Sequence, residues 1–140
     1  MGINLVDFFR WNDAYSVEVA EIDAQHKHLV GLINGLHEVM KRGSNQKEIE
    51  GLLQDLVAYT DFHFKAEEKL MARANYPDLA AHVAKHAAMK QEVQRLLGAA
   101  QSGGASVSIT MMAFLKNWLS RHIEGTDKQY VPAMRKAGLA

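Results

Sequence analysis

The chain has 140 residues, 48% of them hydrophobic and 23% charged, with 16 Lys and Arg against 16 Asp and Glu and no cysteine. That length fits one compact domain spanning residues 1–140, and the balanced charge sets up no field to draw the chain to nucleic acid or an anionic membrane. The missing cysteine excludes disulfides, thiolate-held clusters and a cysteine nucleophile, so a metal site here must be built from imidazole and carboxylate.

The opening MGINLVDFFRWND is interrupted by Asn4, Asp7 and Arg10 before an apolar stretch of signal-peptide length can form, and no later run is long enough to span a bilayer. The expectation is a cytoplasmic protein with no membrane insertion. Residues 1–18 lack helical periodicity, yet Phe8, Phe9, Trp11, Tyr15 and Val17 require apolar contact. They predict an extended N-terminal arm packed across the rest of the chain.

Three loop signals, Gly43-Ser44-Asn45, Asn75-Tyr76-Pro77 and Gln101-Ser102-Gly103-Gly104, divide the chain after residue 18 into four segments. In the first, Ile22, His26, Leu29, Ile33, Leu36 and Met40 alternate spacings of four and three, one buried stripe of a helix over residues 19–42. Ile49, Leu53, Leu56, Thr60, His63, Glu67 and Leu70 repeat the pattern and predict a helix over 46–73. The third segment opens with Pro77, suited to a first helical position, and carries Leu79, His82, His86, Met89, Val93 and Leu96 on one face, a helix over 77–100. Met111, Leu115, Trp118 and His122, with Met112 and Leu119 beside them, predict the fourth over 107–125. Beyond Asp127, the residues Tyr130, Val131 and Met134, with Pro132 near their start, predict a short C-terminal helix that closes one end. Strand signals are absent, and four amphipathic helices on short connections make an all-α, antiparallel up-down-up-down four-helix bundle.

The polar residues on those stripes carry the chemistry. His26, His63, Glu67, His82, His86 and His122 all fall where the apolar pattern assigns the core. An unpaired buried polar group costs a few kcal/mol and an isolated buried carboxylate far more, so six such residues need a shared source of compensation, which a metal cluster supplies. Residues four apart lie one above the other on a helix, so His63 with Glu67, and His82 with His86, are pairs that can serve one cluster. His26 and His122 add a ligand from each remaining helix.

Asp127 is the seventh candidate, although five residues of ideal helix would turn it about 140° away from His122. Gly125 and Thr126 lie between, so a helix end or a local widening could swing the carboxylate inward; periodicity alone does not nominate it. His28 points about 200° from His26 and reads as solvated or intersubunit, and His37 lies about 16 Å along the axis, which makes it a bundle-end histidine. In Glu67-Glu68-Lys69 one carboxylate turns inward and its neighbours are solvated. The methionines read as gap-fillers. No Ser-His-acid set and no Gly-rich phosphate loop stands out, which argues against a hydrolase.

The segments Trp11-Asn12-Asp13 with Tyr15, IDAQHKHL, HFKAEEKLM, YP before HVAKH, and WLSRHIEGTD together resemble the hemerythrins, in particular their single-domain bacterial members, over nearly the whole chain. The resemblance implies two iron ions, one bound by His82, His86 and His122 and the other by His26 and His63 with an open position. Glu67 and Asp127 would bridge them beside an oxo or hydroxo group, and dioxygen would bind reversibly at the open position without catalysis. Met89 departs from the aromatic residue that many family members have there.

The donor set agrees with that role, since five imidazoles and two carboxylates put less negative charge on the metals than carboxylate-rich ferritin-like sites do. Leu29, Phe64, Trp118, Leu119 and Ile123 neighbour the ligands in sequence and are the candidate apolar walls of an oxygen pocket. The competing readings are a sensor of oxygen or redox state, a di-iron oxidase, peroxidase or nitric-oxide-handling enzyme, and plain iron or zinc storage.

Overall fold

The structure is a computed structural model that describes residues 8–43, 46–101 and 109–140. Residues 1–7 of the arm, the Ser44-Asn45 step and residues 102–108, which include the predicted first two residues (107–108) of the fourth helix, lie outside the described residues, as does the side chain of Met111.

Four long helices form the bundle: α1 Ala20–Lys41, α2 Gln46–Arg73, α3 Leu79–Gln101 and α4 Ile109–Arg121. No strand occurs among the described residues. Consecutive helices run antiparallel, with α2 packed along both α1 and α3, and α4 along α1. The core follows the predicted stripes through Ile22, Leu29, Ile33, Leu36, Leu53, Leu56, Met89, Val93, Leu96 and Leu115. Each such side chain stabilises the fold by about 1.5–3 kcal/mol relative to exposure. The stripe drifts at two helix ends, where Val39 and Met71 are buried while Met40 and Leu70 are only half-buried. In α2 a straight helix of 3.6 residues per turn lags a four-three repeat by about 60° between Ile49 and Leu70, which brings Met71 inward. In α1 no such lag separates Ile22 from Met40, and the buried side instead follows Val30, Ile33, Leu36 and Val39.

The connection from α2 to α3 follows its sequence. Asn75 sits in the left-handed region at φ 55°, a conformation that asparagine tolerates at a helix end. Tyr76 then donates its amide hydrogen to the Met71 carbonyl at 3.0 Å. Pro77 occupies the second position of a turn closed by the Leu79 amide on the Tyr76 carbonyl at 3.3 Å, so α3 begins at Leu79 and not at the expected Pro77.

The arm packs across the bundle but is not wholly extended. The Asn12 side chain accepts from the Ala14 amide at 2.8 Å and starts a single 3-10 turn, Asp13–Tyr15. Two hydrogen bonds tie Phe9 to α1: its amide donates to Asn34 Oδ1 at 2.7 Å, and Asn34 Nδ2 donates to its carbonyl at 2.8 Å. Phe8 stacks on His37 with ring centroids 4.1 Å apart, so that histidine supports the arm. His28 is exposed and rests against the ring of Tyr59.

After Arg121 the fourth helix widens into a π-helical segment, His122–Thr126, followed by a 3-10 turn, Asp127–Tyr130, and a short helix α5, Val131–Lys136, with Pro132 at its start. Tyr130, Val131 and Met134 are buried and close this end of the bundle.

Candidate metal centre

The early turns of α1 and α3 and the late turns of α2 and α4 meet at one end of the bundle. There the structure brings all seven sequence-predicted candidates together: His26, His63, Glu67, His82, His86, His122 and Asp127 are buried, with Glu67 and Asp127 wholly so. Their donor atoms form two overlapping groups within metal-binding reach. One contains Glu67, His82, His86, His122 and Asp127, the other His26, His63 and Glu67.

The two carboxylates divide their oxygens between the groups. Glu67 Oε1 lies 2.9 Å from His86 Nε2 and 3.2 Å from His82 Nε2, while its Oε2 lies 3.7 Å from His26 Nε2 and 3.8 Å from His63 Nε2. Asp127 Oδ1 stands 3.0 Å from Nε2 of both His82 and His122, and its Oδ2 3.1 Å from His26 Nε2. The π-helical widening produces the Asp127 position. The Asp127 amide reaches back to the carbonyl of His122, five residues earlier, and the wider turn returns the carboxylate to the face that holds the His122 ring.

The contacts inside the cluster are close but poorly satisfied as hydrogen bonds. His26 Nδ1 and Nε2, His86 Nε2, His122 Nε2 and both oxygens of Asp127 are buried without a hydrogen-bond partner. Nitrogens and oxygens that approach to about 3 Å without pointing at one another are aimed at shared points between them, which is the arrangement of ligands around a cation. Leaving them unmet would cost about 1–3 kcal/mol for each neutral group and more for the charges. The donor set therefore fits a metal centre bound through nitrogen and oxygen.

Without a cation the groups lean on one another. Burial pushes the His63 imidazole down to about 4 against the pull of Glu67. Glu67 is pushed up by burial and by the Asp127 charge, but its close contacts with His82 and His86 and the nearby His63 outweigh both and bring it to about 2. Burial pushes His82 down, yet its contacts with Asp127 and Glu67 raise it to about 9. Burial likewise opposes the charge on Asp127, and His122, His26 and His82 hold it well below the usual carboxylate range.

Three positioning residues were not predicted from the sequence. His63 Nδ1 donates to Gln25 Oε1 at 2.7 Å, and His86 Nδ1 donates to Glu68 Oε2 at 2.8 Å, so each ring turns its Nε2 lone pair toward the centre. Glu68 is thus not merely a solvated neighbour of Glu67. The Tyr130 hydroxyl donates to Glu67 Oε2 at 2.7 Å, and burial next to Glu67 raises its pKa well above 10, which keeps it a donor. The available signal for Gln25 was a polar residue beside His26 on the buried side of α1; Tyr130 had none beyond its apolar ring. Aromatic faces hold two further rings, with Phe64 stacked on His86 at 3.8 Å and Trp118 on His122 at 4.8 Å.

Towards the middle of the bundle, next to the ligand layer, lies an apolar cavity of about 20 Å³, roughly what one water-sized molecule needs. Leu29, Phe64, Trp118 and Leu119 line it together with Met89 and the single hydroxyl of Thr60. Ile123 is fully buried but is not among the lining residues. It follows His122 in the widened segment His122–Thr126.

The family model for the hemerythrin HHE cation binding domain matches residues 17–134. The chain belongs to the hemerythrin family. It is 34% identical over 125 residues to the bacteriohemerythrin of Methylococcus capsulatus, covering 89% of this chain and 95% of that protein. It is 35% identical over 130 residues to a hemerythrin-like protein of Naegleria gruberi, covering 93% and 97%. The crystal structure of a wild-type hemerythrin superposes with a TM-score of 0.85 at 34% identity, covering 90% of this chain and 97% of that one. A cation-binding family domain and a buried cluster of nitrogen and oxygen donors thus coincide in the same residues.

Proposed function

We propose that this hemerythrin-family chain binds dioxygen reversibly at a centre of two iron ions, for oxygen storage, transport or buffering in the cytoplasm, and does so as a binding protein without turnover. The observation that carries the reading is the division of oxygens, in which Glu67 and Asp127 each turn one oxygen to a three-histidine group and the other toward His26, with Glu67 also facing His63. His82, His86 and His122 would hold one iron, His26 and His63 the other, and the two carboxylates would span both. The second position then has fewer protein ligands and room for a small molecule. When bound, a ferrous pair supplies two electrons to dioxygen, one from each ion.

The chain's own residues determine what reaches that position. Leu29, Phe64, Trp118 and Leu119 face a cavity with one hydroxyl, and these walls admit a small apolar molecule more readily than water or ions. Gln25 and Glu68 fix two imidazoles in the tautomer that leaves Nε2 free, and Tyr130 holds Glu67 in place. No helix among the described residues is long and apolar enough to cross a membrane.

The visible absorption spectrum of anaerobically reduced, iron-loaded protein tests the reading when recorded before air, after air and after oxygen is withdrawn. A charge-transfer band that appears with air and disappears on deoxygenation is the expected result. Direct passage to a stable ferric spectrum would overturn reversible binding and favour a sensing or enzymatic role for the same centre.

A further inference from the structure

A surface groove of about 480 Å³ runs between α3 and α4 where Ala88 leaves space at the seam, a volume typical of small-molecule sites, which span about 300–1,000 Å³. Lys85 stands on its α3 bank and Arg121 on its α4 bank, and no carboxylate lines it among the described residues. Both cations are available. Arg121 pairs with no acid among the described residues, and Lys85 reaches only the Thr126 hydroxyl, at 3.5 Å. Phe114, 44% exposed, offers an aromatic face to the same space. In a chain of zero formal net charge, this local pairing of two cations with an exposed ring selects a planar aromatic body that carries an anionic group.

The inner wall of the groove is Trp118 and His122. Trp118 also lines the internal cavity, and its ring stacks on the His122 ring at 4.8 Å with an interplanar angle of 16°. A molecule in the groove would therefore lie against Trp118 and against His122, a candidate metal ligand.

We propose that this groove binds a planar aromatic anion of the reduced-flavin class as electron donor to the centre, a proposal that rests on the di-iron reading for its redox step. The anionic group would meet Lys85 and Arg121, and the ring would lie against Phe114 and Trp118. A flavin hydroquinone anion loses two electrons and one proton to become the oxidised flavin. The electrons convert two ferric ions to ferrous, and the proton passes to solvent through the open mouth of the groove. The site would thereby return an oxidised, oxygen-incompetent protein to its binding form.

Flavin mononucleotide and riboflavin are the probes, since they share a ring and only the first carries a phosphate. In fluorescence titrations of the protein as isolated, flavin mononucleotide is expected to bind saturably and about five- to tenfold more tightly than riboflavin. The Lys85→Ala/Arg121→Ala double variant, altered only at exposed positions, should abolish that difference. Non-saturable binding, or equal affinity for the two flavins, would overturn the site. This titration does not depend on oxygen chemistry, so its outcome stands apart from the test of dioxygen binding. In stopped-flow reduction of the ferric protein, the rate with reduced flavin mononucleotide should saturate and should fall in the double variant to the rate with reduced riboflavin. Tight binding with an unchanged rate would overturn the donor role.

Discussion

The Tyr130 hydroxyl donates to Glu67 Oε2 at 2.7 Å across 63 residues of sequence, which fastens the C-terminal 3-10 turn to the middle of the candidate metal centre. Both residues are buried completely, so the bond is charge-assisted and shielded from water. Tyr130→Phe keeps the ring, its packing against Tyr76 and its stack on His82, but removes the donor. The expected loss is about 1.5–3 kcal/mol of stability in urea unfolding, with metal affinity reduced about tenfold or more. An unchanged unfolding midpoint together with unchanged metal affinity would show that the hydroxyl has no part in holding Glu67.

Glu68 gives a sharper separation between orientation and binding. It is half-buried and touches the centre only through His86 Nδ1, 2.8 Å away. Glu68→Ala should leave the fold intact while lowering metal affinity about 10- to 100-fold in competition with a chelator. Glu68→Gln, whose side-chain carbonyl can still accept from Nδ1, should recover much of that loss. If the two variants bind metal as the parent does, His86 is oriented by packing against Phe64 alone.

The histidines and Glu67 were legible because a polar residue on an apolar stripe contradicts its surroundings, and six such contradictions on four helices share one explanation. The bundle itself was legible for the same reason, since the stripes of α1, α2 and α3 define buried faces that can only meet one another. Asp127 was legible only through family resemblance, because its position depends on a π-helical widening that helical periodicity does not encode. Gln25, Glu68 and Tyr130 were not legible. Each acts through a single tertiary hydrogen bond, and pattern cannot tell such a residue from a solvated or merely packed one. Ile123 follows His122 and is fully buried but does not line the cavity, so adjacency to a ligand in sequence is a weak guide to that lining.

The widening itself can be tested by changing its length. Deleting Gly125 leaves Asp127 four residues after His122, on the same face of an ordinary α-helix, so metal binding should be largely retained. Inserting one alanine after Gly125 places Asp127 six positions after His122, a rotation of about 240° in an α-helix, and should lower the metal content of the chain. Equal losses from the deletion and the insertion would refute the register explanation and leave general disruption of the chain end in its place.

Protonation provides the last prediction, and the signs differ among the ligands. His82 is raised to about 9 in the metal-free fold, so its contribution to stability is present below its unfolded value near 6.5 and is lost as pH rises through 9. His63 is lowered to about 4. The unfolded chain takes up that proton first, and stability is lost as pH falls from about 6.5 toward 4. Glu67, lowered to about 2, adds stability above its unfolded value near 4.3 that is lost as pH falls toward 2. A bound metal requires every imidazole nitrogen facing it to be neutral. At pH 7.5 the cation must therefore displace the proton on His82 but none on His63, and uptake should release about one proton per chain from this residue. Affinity should rise with pH until about 9 and then level off, and acidification should release the metal. A pH-stat titration at pH 7.5 and again above pH 9 measures this directly. Equal proton release at both values would show that His82 is already neutral in the metal-free fold, and that Asp127 and Glu67 do not hold its proton.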